Sequence, residues 1–235
     1  MKVALIQLDI AWERRSTNYE RAELFTRKAA DEKCTIVVFP EMFTTGYTMN
    51  LSAITDEGIG EITSVLSGPS RKYGIFVLAG FPIKTRSEKK ARNRAVVYDR
   101  EGKLTATYTK MHPFSFANEN DFYVAGDNTV VFDIEGMPSS MFICYDLRFP
   151  EDFRRVARDV RAIFVIANWL AERKEHWETP LKARAIENQC FVIGVNRTGR
   201  DGNGILYQGA SHIFDPRANL SVQVMNRLNL STTPP

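Results

Sequence analysis

The segment Phe142-Ile-Cys-Tyr-Asp-Leu-Arg-Phe-Pro150 places a cysteine between a predicted strand and a predicted helix. Ser140–Ile143 is a strand candidate, and a helix is predicted to start at Phe149 or Pro150, because proline is tolerated in the first turn of a helix. Cys144 therefore lies at the switch from strand to helix. Backbone N–H groups and the helix dipole favour a thiolate at such a position, so Cys144 is a candidate nucleophile. The alternative interpretation is a small buried hydrophobic side chain.

Two further candidate site residues follow predicted strands directly. Glu41 comes after the apolar, β-branched run Thr35–Phe39, where a carboxylate is poorly solvated and suited to act as a general base. Lys110 ends the predicted strand Leu104–Thr109 and is suited to stabilise a developing oxyanion. Each residue also has a plain structural interpretation, as a salt-bridged glutamate and as a surface lysine. Sequence physics alone does not prove that the three side chains converge.

Strands and helices alternate along the whole chain, without a Pro/Ser linker or an internal repeat. This pattern predicts one α/β domain with a layered core. The paired segments Arg94–Asp99 and Leu104–Thr109 flank a turn that contains glycine and predict a hairpin, which argues against a purely parallel sheet. A helix is predicted over Ser16–Ala30, with Ser16 or Thr17 as its cap.

Composition excludes several classes of protein. The 235 residues are 44% hydrophobic and 25% charged, and the formal net charge is +3, which is too small to indicate nucleic-acid binding. No apolar stretch approaches the roughly 20 residues of a membrane span, and the N-terminus does not resemble a signal peptide. Three cysteines do not form a disulfide framework, so a reducing, cytoplasmic location is expected.

Histidines offer no local signature of a catalytic or metal site. His112, His176 and His212 lie far apart in the sequence, and no metal-ligand spacing includes them. Each is a candidate base for Cys144, although a structural or surface role is the simpler interpretation. Cys34 and Cys190 flank apolar runs and are interpreted as small buried hydrophobic residues.

Three segments together resemble the signatures of the nitrilase superfamily of carbon–nitrogen hydrolases. They are Phe39-Pro-Glu-Met42, Tyr108-Thr-Lys-Met-His112 and Cys144-Tyr-Asp-Leu-Arg-Phe-Pro-Glu151, in this order. Supporting segments are similar too, among them Ala167-Asn-Trp169 and Ala183-Arg-Ala-Ile-Glu-Asn188. One such segment is weak evidence, but three in register with their strands are highly specific.

The resemblance implies a four-layer α-β-β-α sandwich that forms a homodimer or a larger homo-oligomer. By motif position, Glu41 matches the general base, Lys110 the oxyanion-stabilising lysine and Cys144 the nucleophile. The second active-site glutamate of the superfamily matches Glu119, with Asp121 as the alternative register. No cofactor and no metal are implied.

Within the superfamily, the chain is most similar to ω-amidases, which hydrolyse the side-chain amide of 2-oxoacid amides such as 2-oxoglutaramate and 2-oxosuccinamate. Nitrile hydrolysis, N-carbamoyl amine hydrolysis and hydrolysis of deaminated glutathione use the same site residues and remain alternatives. A non-catalytic binding domain on the same fold is another. The backbone N–H of Tyr145 is suitably placed to donate to the oxyanion.

An ω-amidase must also bind a carboxylate several atoms from the scissile amide. Arg173 follows the predicted strand Ala162–Ala167 and is the best candidate for this role, because a guanidinium grips a carboxylate with two parallel hydrogen bonds. Trp169 is expected to wall the pocket on its apolar side. An exposed loop position for Arg173 and a core position for Trp169 are the alternatives.

The end of the chain departs from the pattern of relatives. Residues 1–216 are predicted to form the carbon–nitrogen hydrolase domain, and residues 217–235 an atypical C-terminal tail. Relatives continue past this point into further sheet and a tail that crosses the dimer, so the C-terminus is expected to be shortened. A shortened C-terminus affects the expected geometry of the dimer but not the three signature segments.

Overall fold

A computed structural model describes residues 1–54, 59–85 and 87–220 of the chain. Its α-helices are α1 Arg15–Asp31, α2 Ile59–Tyr73, α3 Glu119–Phe122, α4 Pro150–Val156 and α5 Lys174–Asn188. Its strands are β1 Val3–Leu5, β2 Ile36–Val38, β3 Phe76–Ile83, β4 Arg92–Tyr98, β5 Leu104–Thr109, β6 Val131–Ile134, β7 Met137–Ile143, β8 Ala162–Ala167, β9 Phe191–Asn196, β10 Thr198–Arg200, β11 Leu206–Gln208 and β12 His212–Phe214. None of the helices in these ranges is long and apolar enough to cross a membrane.

The first sheet has five strands in the order β1-β2-β3-β4-β5. β1, β2 and β3 are parallel, whereas β4 and β5 run antiparallel to their neighbours. Period-two alternation divides the side chains of these strands between two cores. Val37 and Val77 face helices α1 and α2, whereas Ile36 and Leu78 point away from those helices into a second core.

The second sheet has the order β12-β9-β8-β7-β6, with β7, β8 and β9 parallel and the two edge strands antiparallel. The strand β8 is buried along its whole length, as expected for a parallel strand covered on both faces. Its apolar residues share one core with Leu78 and Val97 of the first sheet on one side and with Trp177 and Leu181 of α5 on the other. The layers are therefore helix, sheet, sheet and helix, and the predicted four-layer sandwich is confirmed.

Strand ends bring the candidate residues to one end of the sandwich. Cys144 follows β7 and Asn168 follows β8, and these two parallel strands pair from Ser139 to Ile143 and from Ala162 to Ile166. Lys110 follows β5, whose last residue, Thr109, pairs with Arg94 near the start of the antiparallel β4. Parallel strands expose their carboxyl ends at a common edge, which is where ligands bind in α/β folds.

Two details differ from the sequence predictions. The residue that precedes α1 is Arg14, and neither Ser16 nor Thr17 caps the helix with a side-chain hydrogen bond. Cys144–Arg148 forms a short 3₁₀-helix before α4, whereas the predicted helix begins only at Phe149 or Pro150. The predicted tail over residues 217–235 falls mostly on residues 221–235, which lie outside the described residues.

Candidate active site

Glu41 lies three residues beyond β2 and is fully buried, with 0% of its surface exposed. Its Oε1 accepts hydrogen bonds from Asn93 Nδ2 at 2.7 Å and from Lys110 Nζ at 3.0 Å, and its Oε2 accepts one from the backbone N–H of Asn168 at 2.8 Å. The backbone of Glu41 runs close over Gly80 of β3, where a Cβ atom would come within 2.9 Å of the Glu41 Cα. These contacts fix both the chain and the carboxylate.

Lys110 is an ammonium ion enclosed by two carboxylates. Its Nζ lies 3.0 Å from Glu41 Oε1 and 2.8 Å from Glu119 Oε2, and only 1% of its side chain is exposed. It also lies 5.6 Å from the centre of the Tyr47 ring. Burial disfavours the charged form, but the carboxylates of Glu119 and Glu41 outweigh burial and raise the pKa of Lys110 well above its ordinary value. Lys110 is therefore a fixed positive charge.

Glu119 enters the site because Asn118 adopts a left-handed conformation, with φ of 54°, a region that asparagine tolerates. Besides Lys110, its Oε2 accepts hydrogen bonds from Tyr47 Oη at 2.9 Å and from the Phe114 N–H at 2.6 Å. Burial opposes ionisation, yet the charge and hydrogen bond of Lys110 dominate and lower the pKa of Glu119. The carboxylate is thus held ionised.

Burial distinguishes Glu119 from Asp121, the two residues that could match the second active-site glutamate. Glu119 is fully buried, whereas Asp121, two residues further along α3, is exposed. Lys110 contacts Glu119 directly. The structure therefore places Glu119 in the site.

Cys144 begins the 3₁₀-helix Cys144–Arg148 and has a positive φ of 50°. For a residue with a Cβ atom this left-handed conformation is strained, and such residues cluster at functional sites. The residue is 9% exposed and lines a cavity of about 100 Å³. A sharp strand-to-helix turn thus presents the sulfur at the base of a pocket.

The environment of Cys144 raises the pKa of its thiol, whereas the sequence predicts a thiolate favoured by a helix dipole. Burial has the largest effect and raises the pKa of Cys144 well above its ordinary value; the Glu41 carboxylate raises it further, and Lys110 offsets only part of the rise. The helix start does not compensate for burial of the thiol, and two carboxylates against one ammonium add an excess negative charge around it. A proton passed from Cys144 to Glu41 leaves that net charge unchanged.

The pocket above Cys144 is lined mainly by aromatic and apolar side chains, with two arginines. The lining comprises Tyr47, Phe114, Ala117, Cys144, Tyr145, Arg148, Asn168, Trp169, Leu170, Arg173, Ile205 and Tyr207. The ring of Tyr145 packs against Phe114, with centroids 4.9 Å apart. Its backbone N–H lies in the first turn of the 3₁₀-helix, where N–H groups have no partner within the helix.

Trp169 and Arg173 both contribute to this pocket. Trp169 is 5% exposed, and its indole Nε1 donates to the carbonyl oxygen of Arg173 at 2.9 Å. The guanidinium of Arg148 lies 5.5 Å from the centre of the Trp169 ring. Arg173 is less enclosed, with 42% of its side chain exposed and its Nε 3.9 Å from Glu172 Oε1. Both predicted substrate-binding residues therefore lie on the same cavity as Cys144.

The three histidines form their side-chain contacts with residues other than Cys144. His112 Nε2 lies 2.6 Å from Asp152 Oδ2, His212 Nε2 lies 2.7 Å from Glu178 Oε1, and His176 Nδ1 lies 3.3 Å from Arg148 Nη2. No His, Cys, Asp or Glu cluster in residues 1–54, 59–85 and 87–220 is arranged to hold a metal ion. Within those ranges, the carboxylate of Glu41 is the basic group associated with the thiol.

Sequence reasoning missed four residues of this region. Asn93 and Tyr47 contact the catalytic cluster, which consists of Glu41, Lys110, Glu119 and Cys144. Arg148 lines the pocket. Asp146 accepts hydrogen bonds that hold the turn at Cys144. Asp146 and Arg148 lie two and four residues after Cys144, so the cysteine segment itself is the signal that points to them. For Asn93 and Tyr47, no local pattern in a single sequence separates them from other polar residues at strand and loop positions.

Comparisons with known proteins agree with this geometry. The model of the carbon-nitrogen hydrolase family matches residues 2–231. The chain is 35% identical over 216 residues to the 2-oxoglutaramate amidase of Bacillus subtilis (strain 168), covering 91% of this chain and 82% of that protein. It is 30% identical over 220 residues to the omega-amidase YafV of Escherichia coli (strain K12), covering 94% and 83% respectively.

Solved structures give the same result. XC1258 from Xanthomonas campestris, a CN-hydrolase superfamily protein with an arsenic adduct in its active site, superposes with a TM-score of 0.86 at 30% identity, over 94% of this chain and 84% of that one. An amidase from Nesterenkonia sp. superposes with a TM-score of 0.87 over 94% and 84%, and at 24% identity it supports the fold alone. The chain therefore belongs to the carbon-nitrogen hydrolase family, within the nitrilase superfamily, and is an amide-hydrolysing enzyme.

Proposed function

We propose that this enzyme releases ammonia from the ω-amide of a small 2-oxoacid, 2-oxoglutaramate or 2-oxosuccinamate, through a thioester with Cys144. One observation carries the choice of substrate: a pocket that contains Cys144 is also lined by two guanidinium groups, Arg148 and Arg173. A substrate with an amide at one end and a carboxylate at the other matches that arrangement. The relatives named for activity on such amides support it.

The chemistry begins with a proton transfer. As the sulfur of Cys144 attacks the amide carbon, its proton passes to Glu41, and the carbonyl oxygen becomes an oxyanion. Lys110 and the Tyr145 N–H stabilise that oxyanion. Preorganised donors of this kind supply a large part of the rate enhancement in acyl transfer.

Collapse of the tetrahedral intermediate breaks the carbon–nitrogen bond. Glu41 returns the proton to the departing nitrogen, ammonia leaves, and an acyl thioester remains on Cys144. A water molecule then gives a proton to Glu41 and its oxygen attacks the thioester carbon. The acid is released and the proton returns to the sulfur, so the enzyme is restored without a cofactor.

Glu119 has a separate role in this scheme. It forms the second ion pair of Lys110, whose Nζ lies 2.8 Å from Glu119 Oε2 and 3.0 Å from Glu41 Oε1. Because Lys110 is balanced by Glu119, Glu41 can take up the proton of Cys144 without leaving Lys110 unpaired. A buried charge without a partner is costly.

Arg173 is proposed to bind the substrate carboxylate, and Trp169 to form the apolar wall beside the carbon chain. The cavity of about 100 Å³ suits a short linear molecule. Neutral amides and nitriles are processed by the same set of catalytic groups in this superfamily, and a carboxylate site is what distinguishes the 2-oxoacid amides from them. Rates measured on a 2-oxoacid amide and on a neutral amide test whether Arg173 binds the carboxylate.

The test compares ammonia release from 2-oxosuccinamate and 2-oxoglutaramate with ammonia release from a neutral amide, a nitrile and an N-carbamoyl amine. Hydrolysis of deaminated glutathione is followed by the release of cysteinylglycine, because its amide nitrogen leaves as that amine. We expect kcat/KM to be highest for the 2-oxoacid amides. In Arg173→Ala it should fall roughly 10- to 100-fold for these substrates, as for loss of a hydrogen bond to a charged group, and change little for the neutral amide. Arg27→Ala, an exposed arginine of α1, is the control.

Two outcomes contradict the proposal. A preference for one of the other substrate classes refutes the 2-oxoacid amide assignment. Equal losses on charged and neutral amides in Arg173→Ala refute the carboxylate role of Arg173 while leaving amide hydrolysis in place.

The homodimer and the cytoplasmic location remain predictions. All three cysteines are free, which agrees with a reducing compartment. Light scattering on the purified protein measures its mass in solution, and a mass of one chain contradicts the dimer. Fractionation of the producing cells tests the location.

A further inference from the structure

Asn93 lies near the start of β4 and contacts three residues of the catalytic cluster. Its Nδ2 donates to Glu41 Oε1 at 2.7 Å and to Glu119 Oε1 at 3.1 Å. The backbone carbonyl oxygen of Asn93 accepts the backbone N–H of Lys110 at 2.9 Å. The side chain is buried, with 1% exposed. We propose that Asn93 is a positioning residue for amide hydrolysis, holding the general base in line with the thiol; this rests on the proposed role of Glu41.

The hydrogen-bond count supports a specific rather than a space-filling role. An asparagine nitrogen carries two hydrogens, and both are directed at carboxylates of the site. Among the described residues, no other group donates to or accepts from this side chain. The orientation of the amide is therefore set by Glu41 and Glu119.

Sharing one amide between two carboxylates has an electrostatic consequence. Two ionised carboxylates close together repel each other, and each is favoured in its charged form by donors directed at it. In the part of the chain that the structure describes, Lys110 and Asn93 are the two groups that donate to both Glu41 and Glu119. The ammonium is committed to the reaction, where it must also face the oxyanion. The neutral amide is the partner that keeps the spacing of the two carboxylates while Lys110 contacts the substrate.

Loss of this amide should therefore impair the proton transfer more than substrate binding. Without Asn93 Nδ2, Glu41 Oε1 keeps only Lys110 as a donor among the described residues, and the carboxylate can rotate away from the thiol. Its ionised form also loses a stabilising hydrogen bond. We expect the deprotonation of Cys144 to become slower and to require a higher pH.

The experiment compares Asn93→Leu with the wild type in three measurements. The first is kcat and KM on an amide that the wild type hydrolyses. The second is the rate of alkylation of Cys144 by iodoacetamide from pH 5 to 9, followed by mass spectrometry. The third is thermal unfolding by circular dichroism. Asn188→Leu is the matched control, because Asn188 is also buried but its amide donates to the Arg184 carbonyl on α5.

In Asn93→Leu we expect kcat to fall about 10- to 100-fold, the range for a lost hydrogen bond to a charged group, with a much smaller change in KM. Alkylation of Cys144 should slow at neutral pH, and its acid limb should move to higher pH. In Asn188→Leu, both the kcat and the alkylation profile should stay at wild-type values. Asn93→Ser, which keeps one donor, should lie between the wild type and Asn93→Leu.

Three results would overturn the inference. One is a kcat near the wild-type value in folded Asn93→Leu. Another is a lowered kcat with an unchanged alkylation profile, which assigns Asn93 a purely structural role. If Asn93→Leu does not fold, Asn93→Ser decides, and wild-type alkylation and kcat in that variant also refute the role. Alkylation needs no substrate, so it separates this inference from failure of the 2-oxoacid amide assignment.

Discussion

The hydroxyl of Tyr108 donates a 2.7 Å hydrogen bond to Asp146 Oδ2, which joins the strand of the catalytic lysine to the turn of the nucleophile. The other carboxylate oxygen, Oδ1, accepts the backbone N–H of His112 at 2.8 Å. Tyr108 and His112 stand two residues before and two residues after Lys110. One buried carboxylate therefore binds both flanks of Lys110, the residue proposed to stabilise the oxyanion.

The same carboxylate also holds the nucleophile. Asp146 Oδ2 accepts the backbone N–H of Ile143, the residue before Cys144, at 3.0 Å. Cys144 has a positive φ of 50°, a conformation that persists only when surrounding contacts impose it. Asp146 thus fixes the distance between the ends of β5 and β7, from which Lys110 and the sulfur approach the substrate.

Asp146→Asn is expected to lower kcat about 100-fold with little change in KM, because a small misplacement of catalytic groups costs that much. The asparagine amide has one acceptor oxygen. It therefore cannot accept hydrogen bonds from the His112 N–H, which binds Oδ1, as well as from the Tyr108 and Ile143 donors, which bind Oδ2. Steady-state kinetics on the preferred amide measure the effect. Asp133→Asn, an exposed aspartate in β6, is the control. A kcat within threefold of the wild-type value in Asp146→Asn would rule out this coupling.

Asp146 also makes the stability of the protein depend on pH. Burial outweighs its hydrogen bonds and raises the pKa of Asp146 from 3.8 to about 6. Between these values the folded state keeps a proton that the unfolded chain has released, so the free energy of unfolding falls as pH rises through this window. The fall amounts to about 3 kcal/mol at most.

Denaturant titrations of the wild type and Asp146→Asn from pH 4 to 7 measure this contribution. The wild type should lose stability relative to the variant as pH rises from about 4 to about 6, and the difference between them should then level off. A difference that stays constant over this range would show that Asp146 is ionised throughout.

Removal of Lys110 is expected to destabilise the fold as well as abolish hydrolysis. Lys110→Met leaves the carboxylates of Glu41 and Glu119 buried without their shared cation, and breaking a buried ion pair typically costs 3–5 kcal/mol. Lys72→Met is the control, since Lys72 pairs with Glu23 at 2.8 Å on the surface, with 61% of its side chain exposed. That variant should lose much less stability than Lys110→Met, because solvent screens an exposed ion pair. Comparable losses in both variants would mean that the buried cluster is protonated or hydrated.

Cys144→Ala should fold normally and release no ammonia. The substitution removes only a sulfur atom from a pocket wall, and the site keeps its carboxylates and ammonium. Cys190→Ala, another buried free cysteine, should retain activity. Ammonia release and circular dichroism on both variants check this, and turnover in folded Cys144→Ala would disprove the thioester route.

Most of the fold and the centre of the site were predictable from the sequence. Apolar β-branched runs identified buried strands such as β8, which was predicted with the bounds that the structure gives it. Glu41, Lys110 and Cys144 were identifiable because each follows a strand, and their signatures occur in order along the chain. These signals are local and continuous in sequence.

The residues that were missed depend on contacts between distant segments. Asn93 meets Glu41 across 52 positions of sequence, and Tyr47 meets Glu119 across 72. No periodicity encodes such contacts, because they arise only when the two sheets pack. The protonation state of Cys144 was misjudged for a related reason: its pKa depends on burial and on Glu41, which the local turn does not reveal.

Arg148 ends the 3₁₀-helix that Cys144 begins. Its guanidinium lies 5.5 Å from the Trp169 ring centre and 3.3 Å from His176 Nδ1, and the residue lines the same pocket as Arg173. A planar guanidinium stacks on an aromatic ring, whereas a lysine ammonium is a strongly hydrated point charge. We therefore expect Arg148 to act as a second, ring-supported cation for the substrate carboxylate.

Arg148→Ala should raise KM for a 2-oxoacid amide about tenfold, and Arg148→Lys should recover only part of the loss, because lysine keeps the charge but not the planar group that packs on Trp169. KM for a neutral amide should stay within threefold in both variants.

The double variant Arg148→Ala/Arg173→Ala shows whether the two arginines bind the same carboxylate. If both cations bind one carboxylate, the losses are not additive, since the residues share a partner. Strictly additive losses would indicate independent contacts, and an unchanged KM in Arg148→Ala would leave Arg173 as the carboxylate-binding residue without Arg148.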